Sequence, residues 1–117
     1  MGVFTVGEIV TTVFPFSNLA DRKLRPCVVL ARVEFGDYVV CQITSRPHTS
    51  NVAIVLKPQH LSRGFLPLTS YIRPDKLFTA DPTLMKHSLG MLQSGMRDEV
   101  LQAVQRLFTS QGTGGNR

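Results

Sequence analysis

Apolar residues follow strand-like patterns over most of the chain and a helical pattern near its end. Apolar and polar positions alternate over residues 7–14, which predicts a first strand. Runs rich in β-branched residues over 27–31 and 38–43 predict two further strands. Because Gly36 accepts backbone angles that β-branched residues refuse, residues 35–37 predict a turn that joins these two strands as a hairpin.

The segments around these strands predict loops and shorter elements. Residues 16–24 predict a loop of about nine residues, longer than an ordinary hairpin connection. Residues 44–51 are polar throughout and predict a second exposed loop. The other elements expected before residue 80 are a short buried strand, a turn of helix that ends at a glycine, an extended segment and a last short strand, over 52–56, 59–64, 65–73 and 76–79.

Helical signals begin after residue 80. Asp81 followed by Pro82 predicts the N-cap and first position of a short helix that ends before Gly90. Ser94 predicts the cap of a longer helix. The apolar residues of that helix form one stripe, which predicts a core-facing or dimer-forming surface: Met96, Val100, Leu101, Val104, Leu107 and Phe108.

These elements together predict a mainly β fold. Five to six short strands and a C-terminal α-helix in so few residues favour a small, strongly bent barrel over residues 1–109. The glycine-rich residues 110–117 predict a disordered tail. A barrel of this size leaves its loops, and not its strands, free for chemistry.

Composition and charge limit the partners and the cellular location that we expect for this protein. The 117 residues carry a formal net charge of +5, which favours a polyanionic partner such as nucleic acid, an anionic membrane or an acidic protein segment. No apolar run approaches the roughly 20 residues of a membrane helix, and the first residues do not resemble a signal peptide. We therefore expect a cytoplasmic protein with no membrane association, in which Cys27 and Cys41 are reduced.

Candidate chemistry concentrates at one end of the predicted hairpin. Arg22, Lys23 and Arg25 place three cations in four residues before its first strand, and the hydroxyl pair Thr44 and Ser45 follows its second strand. If the strands pair antiparallel, Arg25 and Thr44 meet at the same end of the sheet. A guanidinium beside a hydroxyl is what a phosphate site requires.

Several short motifs resemble the MazF/PemK family of toxin ribonucleases from bacterial toxin–antitoxin pairs. The resemblance runs from residue 7 to about 108, and the most specific pair is Arg-Pro at 25–26 with Ile-Thr-Ser at 43–45. The other matching segments are 7–10, 14–17, 70–73, 76–79 and 89–90. The resemblance implies an SH3-like barrel, a two-fold homodimer, metal-independent cleavage of single-stranded RNA at short sequences, and inhibition by a cognate acidic antitoxin.

The resemblance also implies roles for individual residues. Arg25 and Thr44 fall on the family's catalytic arginine and threonine, and Arg73 and Asp75 fall on an Arg-x-Asp pair that some members use in catalysis. The resemblance implies RNA contacts from the loop after the first strand, which contains Asn18, Arg22 and Lys23. We expect Ser45, Arg46 and His48, in the loop after the third strand, to bind RNA along the same groove.

Metal-free cleavage can use the 2′-hydroxyl of RNA as the nucleophile. The protein must then supply a base for that hydroxyl, neutralise charge on the phosphoryl oxygens and provide a proton for the leaving oxygen. Arg25 suits charge neutralisation, because its guanidinium is planar and always charged. Asp75 is the first candidate base and His48 the second, while a structural bond in the turn at 73–75 is an equal interpretation of Asp75. His60 and His87 lack metal-ligand spacing, so we expect no metal or cofactor.

Two other functions fit the same residues. A non-catalytic binding module on the same barrel, such as a gyrase poison or a nucleic-acid adaptor, would use the phosphate contacts without needing Thr44 or Asp75. An inactive family member would keep only the antitoxin-binding surface. Cleavage of RNA distinguishes the enzyme from both.

Overall fold

A computed structural model describes residues 3–14, 23–47, 50–66 and 68–113, with the backbone alone for 111–113. Seven antiparallel strands form one sheet in the order β4-β6-β3-β2-β1-β7-β5. The elements are β1 (Glu8–Val13), β2 (Leu24–Arg32), β3 (Tyr38–Thr44), β4 (Ile54–Leu56), β5 (Leu61–Gly64), β6 (Ser70–Ala80), β7 (Met85–Leu92) and the helix α1 (Ser94–Thr113). The expectation of a mainly β fold with a C-terminal helix is confirmed, although the described residues form seven strands and not five or six.

Both faces of the curled sheet are apolar. Successive residues of β2 alternate between two clusters of buried side chains: Val28 belongs to one and Val29 to the other. The first cluster is covered by α1, which inserts Met96 and Val100 against it. On the second face, the ring of Phe78 meets the ring of Phe14 edge-on, with centroids 4.9 Å apart. Burial on both faces explains why the strands contain continuous apolar runs.

The β2–β3 hairpin is confirmed. Cys27 lies opposite Gln42 in its ladder. The turn is a short 3₁₀ segment, Glu34–Gly36, in which both Phe35 (φ 63°) and Gly36 (φ 76°) have left-handed backbone angles. Glycine adopts such angles without steric cost, whereas phenylalanine does not.

The short helix expected over 82–89 is wrong. Asp81 does cap a turn, since its Oδ1 accepts a hydrogen bond from the Thr83 N–H at 2.8 Å, but the turn is a 3₁₀ segment of three residues, Pro82–Leu84. The chain then enters β7, which pairs with β1. Gly90 is not a helix stop; it lies inside β7, where an added Cβ would lie 2.6 Å from the Arg63 carbonyl oxygen.

Two other expectations need correction. The turn of helix expected over 59–64 is a 3₁₀ segment, Pro58–His60, followed by β5. The extended segment expected over 65–73 and the short strand expected over 76–79 are joined in one strand, β6, which includes Pro74. Its pairing with β3 jumps from Leu77 opposite Cys41 to Arg73 opposite Gln42. Pro74 therefore lies in a bulge, where its missing N–H is tolerated.

The helix begins and ends slightly outside its expected bounds. Its first residue is Ser94, and the Arg97 N–H donates to the Gln93 carbonyl oxygen at 2.9 Å. It continues through Thr113, into the segment for which the glycines predict a tail, while 114–117 lie outside the described residues. Among the described helical segments, none combines the length and apolar character that a bilayer span requires.

Candidate active site

Arg25 and Thr44 come from the paired strands β2 and β3, and both line one open cavity of about 290 Å³. The hairpin register ends with Cys27 opposite Gln42, so Arg25 and Thr44, each two residues further along its strand, lie at the same end of the hairpin. Antiparallel pairing thus brings together residues from the two ends of the hairpin sequence. The juxtaposition expected from the sequence is present.

The cavity combines a polar rim with apolar walls. Arg25, Ser45 and Arg46 are exposed at the rim, and Thr44 is half-buried. The remaining described lining residues come from strand ends and the segment before β6: Pro26, Ile43, Leu66, Leu68, Ser70 and Leu89. Cations and hydroxyls beside apolar walls suit a ligand that has both phosphate groups and flat rings.

The Thr44 hydroxyl is oriented by the loop that follows it. Its Oγ1 accepts a hydrogen bond from the Arg46 N–H at 3.2 Å. Because a hydroxyl carries one donor and two acceptor positions, this bond leaves the Thr44 O–H available to donate. A donor beside the Arg25 guanidinium can share the charge of a phosphoryl oxygen.

Arg73 and Asp75 form a separate unit on β6. The Arg73 guanidinium donates from Nη2 to Asp75 Oδ2 at 2.9 Å and from Nε to Oδ1 at 3.3 Å. Arg73 lies opposite Gln42, two residues from Thr44 on the same face of β3. Neither residue of the pair is among the described lining of the cavity that holds Arg25 and Thr44.

The electrostatics of Asp75 argue against its use as a base. Partial burial raises the pKa of its carboxyl, but the hydrogen bonds and charge of Arg73 outweigh that effect, and the net pKa lies below its ordinary value. A backbone N–H and the Ser50 hydroxyl contribute in the same direction. Asp75 is therefore ionised at neutral pH and has little affinity for a proton.

Ser50 is a site residue that the sequence did not single out. Its hydroxyl donates to Asp75 Oδ2 at 3.1 Å across 25 positions of sequence. The sequence marks it only as one of several polar residues in the loop 44–51. No local pattern distinguishes a serine that reaches a distant carboxylate from one that contacts water.

The expected RNA-binding residues divide into two groups. Lys23, Ser45 and Arg46 are exposed, with Lys23 immediately before β2 and the other two at the cavity rim. Asn18, Arg22 and His48 lie outside the described residues.

The two cysteines and His60 are buried or hydrogen-bonded within the fold, and none of them is among the described lining of the cavity. Cys27 and Cys41 are free and buried, and burial raises the pKa of the Cys27 thiol to about 12, partly offset by the neighbouring Thr12 hydroxyl. The His60 Nδ1 accepts from the Lys57 N–H at 3.0 Å. Within the described ranges, no three His, Cys, Asp or Glu side chains are grouped so as to hold a metal ion.

Comparison with solved structures finds the same fold in several toxins. A mycobacterial endoribonuclease in complex with its cognate antitoxin has a TM-score of 0.71 at 14% identity, with 92% of this chain and 96% of that chain covered. MazF from Deinococcus radiodurans (Form-I) has a TM-score of 0.72 at 19% identity, with 93% and 99% covered. A MazE–MazF structure from the same organism (Form-III) has a TM-score of 0.73 at 18% identity, with 92% and 98% covered.

Sequence comparison supplies the family. A search of curated proteins finds no match. A family model described as PemK-like, MazF-like toxin of type II toxin–antitoxin system matches residues 5–108, which is most of the chain. The protein belongs to this family of type II toxin–antitoxin toxins.

Proposed function

We propose that this toxin is a metal-independent endoribonuclease that cleaves single-stranded RNA at selected sequences. The observation that carries the proposal is the placement of the Arg25 guanidinium and the Thr44 hydroxyl on the rim of one cavity. Relatives with the same fold are described as endoribonucleases. The basic charge of the chain, +5, favours a polyanionic substrate.

The reaction would use the nucleophile that RNA itself provides. The 2′-oxygen bonds to phosphorus as its proton passes to a base, and the bond from phosphorus to the 5′-oxygen breaks as that oxygen takes up a proton. The products are a 2′,3′-cyclic phosphate and a 5′-hydroxyl. Arg25 neutralises charge on the phosphoryl oxygens, and the Thr44 O–H donates to one of them.

Asp75 has a supporting part in this proposal. Its lowered pKa and its two bonds to Arg73 make it a weak proton acceptor. Its carboxylate instead fixes the Arg73 guanidinium on β6, at a position opposite Gln42 and outside the described lining of the cavity, where a second cation adds to the positive charge that attracts RNA. His48, the other candidate base, lies outside the described residues.

The cognate antitoxin would bind at the same cavity. Leu68 is 63% exposed beside the cations Arg25 and Arg46, so the rim presents both apolar and positive surface. An acidic segment with apolar side chains complements such a surface. The two-fold homodimer and the cytoplasmic location are part of this proposal as well.

The test is incubation of purified protein with a long single-stranded RNA in EDTA, followed by mapping of fragment ends. We expect discrete cuts with 5′-hydroxyl ends. Arg25→Ala and Thr44→Ala should each lower the cleavage rate by about 10²–10³-fold. Arg32→Ala, an exposed arginine at the far end of β2, and Thr79→Ala, an exposed threonine of β6, are the matched controls that should cleave normally.

Either of two results overturns the proposal. A folded protein that binds RNA without cutting it is a binding module or an inactive relative. Cleavage that survives Arg25→Ala at the normal rate removes Arg25 from the mechanism.

A further inference from the structure

The connection between β3 and β4 is described for residues 45–47 and 50–53, and it carries two of the cavity's rim residues, Ser45 and Arg46. It is fixed at its start by the bond from the Arg46 N–H to Thr44 Oγ1. Its second half is organised around Ser50. The Ser50 hydroxyl accepts from the Val52 N–H at 3.2 Å and donates to Asp75 Oδ2 at 3.1 Å.

The carboxylate that receives this bond is itself held in place. Asp75 lies in the β6 bulge, next to the buried Pro74, and both of its carboxylate oxygens accept hydrogen bonds from Arg73. It keeps its charge at neutral pH because its pKa is lowered. A hydroxyl that donates to an ionised carboxylate makes a stronger bond than one between neutral groups. The Ser50–Asp75 contact therefore joins a polar loop to the β6 strand of the sheet.

We propose that Ser50 is a positioning residue for RNA selection: its bond to Asp75 holds residues 50–53 against β6 and so fixes the far end of the connection that carries Ser45 and Arg46 at the cavity. This inference rests on the proposed function. The bond of Ser50 to Asp75 is distinct from the chemistry at Arg25 and Thr44, which stand on β2 and β3. Loss of the Ser50 hydroxyl frees the loop and leaves those two strands intact.

The expected kinetic effect follows because the Ser50–Asp75 bond is separate from the catalytic pair Arg25 and Thr44. A mobile loop must be ordered each time RNA binds, so binding weakens. Bound RNA still meets Arg25 and Thr44, because the bond from the Arg46 N–H to Thr44 Oγ1 does not involve Ser50. For Ser50→Ala we expect about a tenfold rise in KM with kcat nearly unchanged. Discrimination between the preferred RNA sequence and single-base variants should fall as well, because a loosely held rim accepts more bases.

Ser50→Thr is the informative companion variant. It keeps the hydroxyl and should restore both KM and sequence discrimination. Ser62→Ala is the matched control, because the Ser62 hydroxyl donates to the Met91 carbonyl oxygen at 3.3 Å on a different part of the sheet. Steady-state cleavage of a set of short RNAs that differ at one base gives all of these values. Unchanged KM and discrimination in Ser50→Ala, or failure of Ser50→Thr to restore them, overturns the proposal.

Hydrogen exchange on the free protein tests the tether without any cleavage. Peptides that cover residues 50–56 should exchange faster in Ser50→Ala and in Asp75→Ala than in the unaltered protein, and Ser62→Ala should leave them unchanged. Equal exchange in all four proteins overturns the tether. If the unaltered protein cuts no RNA but the exchange result holds, the proposed enzyme function fails while the tether between Ser50 and Asp75 stands.

Discussion

The Arg73 guanidinium donates to both oxygens of Asp75, at 2.9 Å to Oδ2 and 3.3 Å to Oδ1, two positions apart on either side of Pro74. The β6 bulge makes this geometry possible, because the residues around Pro74 leave the regular ladder with β3. Arg73 and Asp75 therefore act as one unit. A substitution in either residue changes the surroundings of the other.

This pair predicts a pH-dependent contribution to stability. The folded-state pKa of Asp75 is lowered, so its contribution is present above the unfolded-state pKa of roughly 4 and is lost as pH falls through the folded-state value. Asp75→Asn should therefore cost more free energy of unfolding at pH 7 than at pH 2.5. Urea unfolding at both pH values measures the difference. An equal cost at both would show that the carboxylate charge contributes nothing.

The hairpin tip predicts a stabilising substitution. Phe35 has a φ of 63° and is 95% exposed, so its backbone is strained and its replacement loses little burial. Phe35→Asn should raise the free energy of unfolding by about 1 kcal/mol, because asparagine tolerates this conformation better. Gly36→Ala, at φ 76° with no atom within 4 Å of the added Cβ, should lower it by a similar amount. Thermal unfolding measures both variants. The prediction requires that the free energy of unfolding rise in Phe35→Asn and fall in Gly36→Ala.

Gly90 predicts a destabilising substitution. A Cβ there would lie 2.6 Å from the Arg63 carbonyl oxygen, and backbone cannot move aside as a flexible side chain can. Gly90→Ala should cost about 1–3 kcal/mol by separating β5 from β7. Gly95→Ala is the control: it meets nothing within 4 Å near the start of α1 and should be neutral or stabilising. Denaturant unfolding would contradict the prediction if both variants matched the unaltered protein.

The two cysteines predict unreactive thiols. Cys27 and Cys41 are fully buried, and burial raises the pKa of Cys27 to about 12, so neither side chain is exposed as a thiolate. A thiol-specific reagent at pH 8 should label neither cysteine in the folded protein and both in urea. Ser62→Cys, which places a thiol on an exposed part of β5, should react at once. Rapid labelling of the native protein would contradict the burial.

The sequence by itself determined the mainly β class, the β2–β3 hairpin and the meeting of Arg25 with Thr44. Each follows from local signals: β-branched runs, a turn with Gly36, and antiparallel pairing that returns the chain to its starting end. The motifs that place the chain in its toxin family are likewise visible in the sequence.

Only the tertiary structure decided the course of the chain after residue 80 and the partner of Ser50. Asp81 and Pro82 signal a capped turn equally well whether a helix or a strand follows. The following residues form β7 because they pair with β1, which is far away in sequence. The same holds for Pro74, which a bulge admits into β6, and for the bond of Ser50 to Asp75. Local patterns fix local geometry, whereas contacts between distant residues depend on which surfaces the packed sheet leaves open.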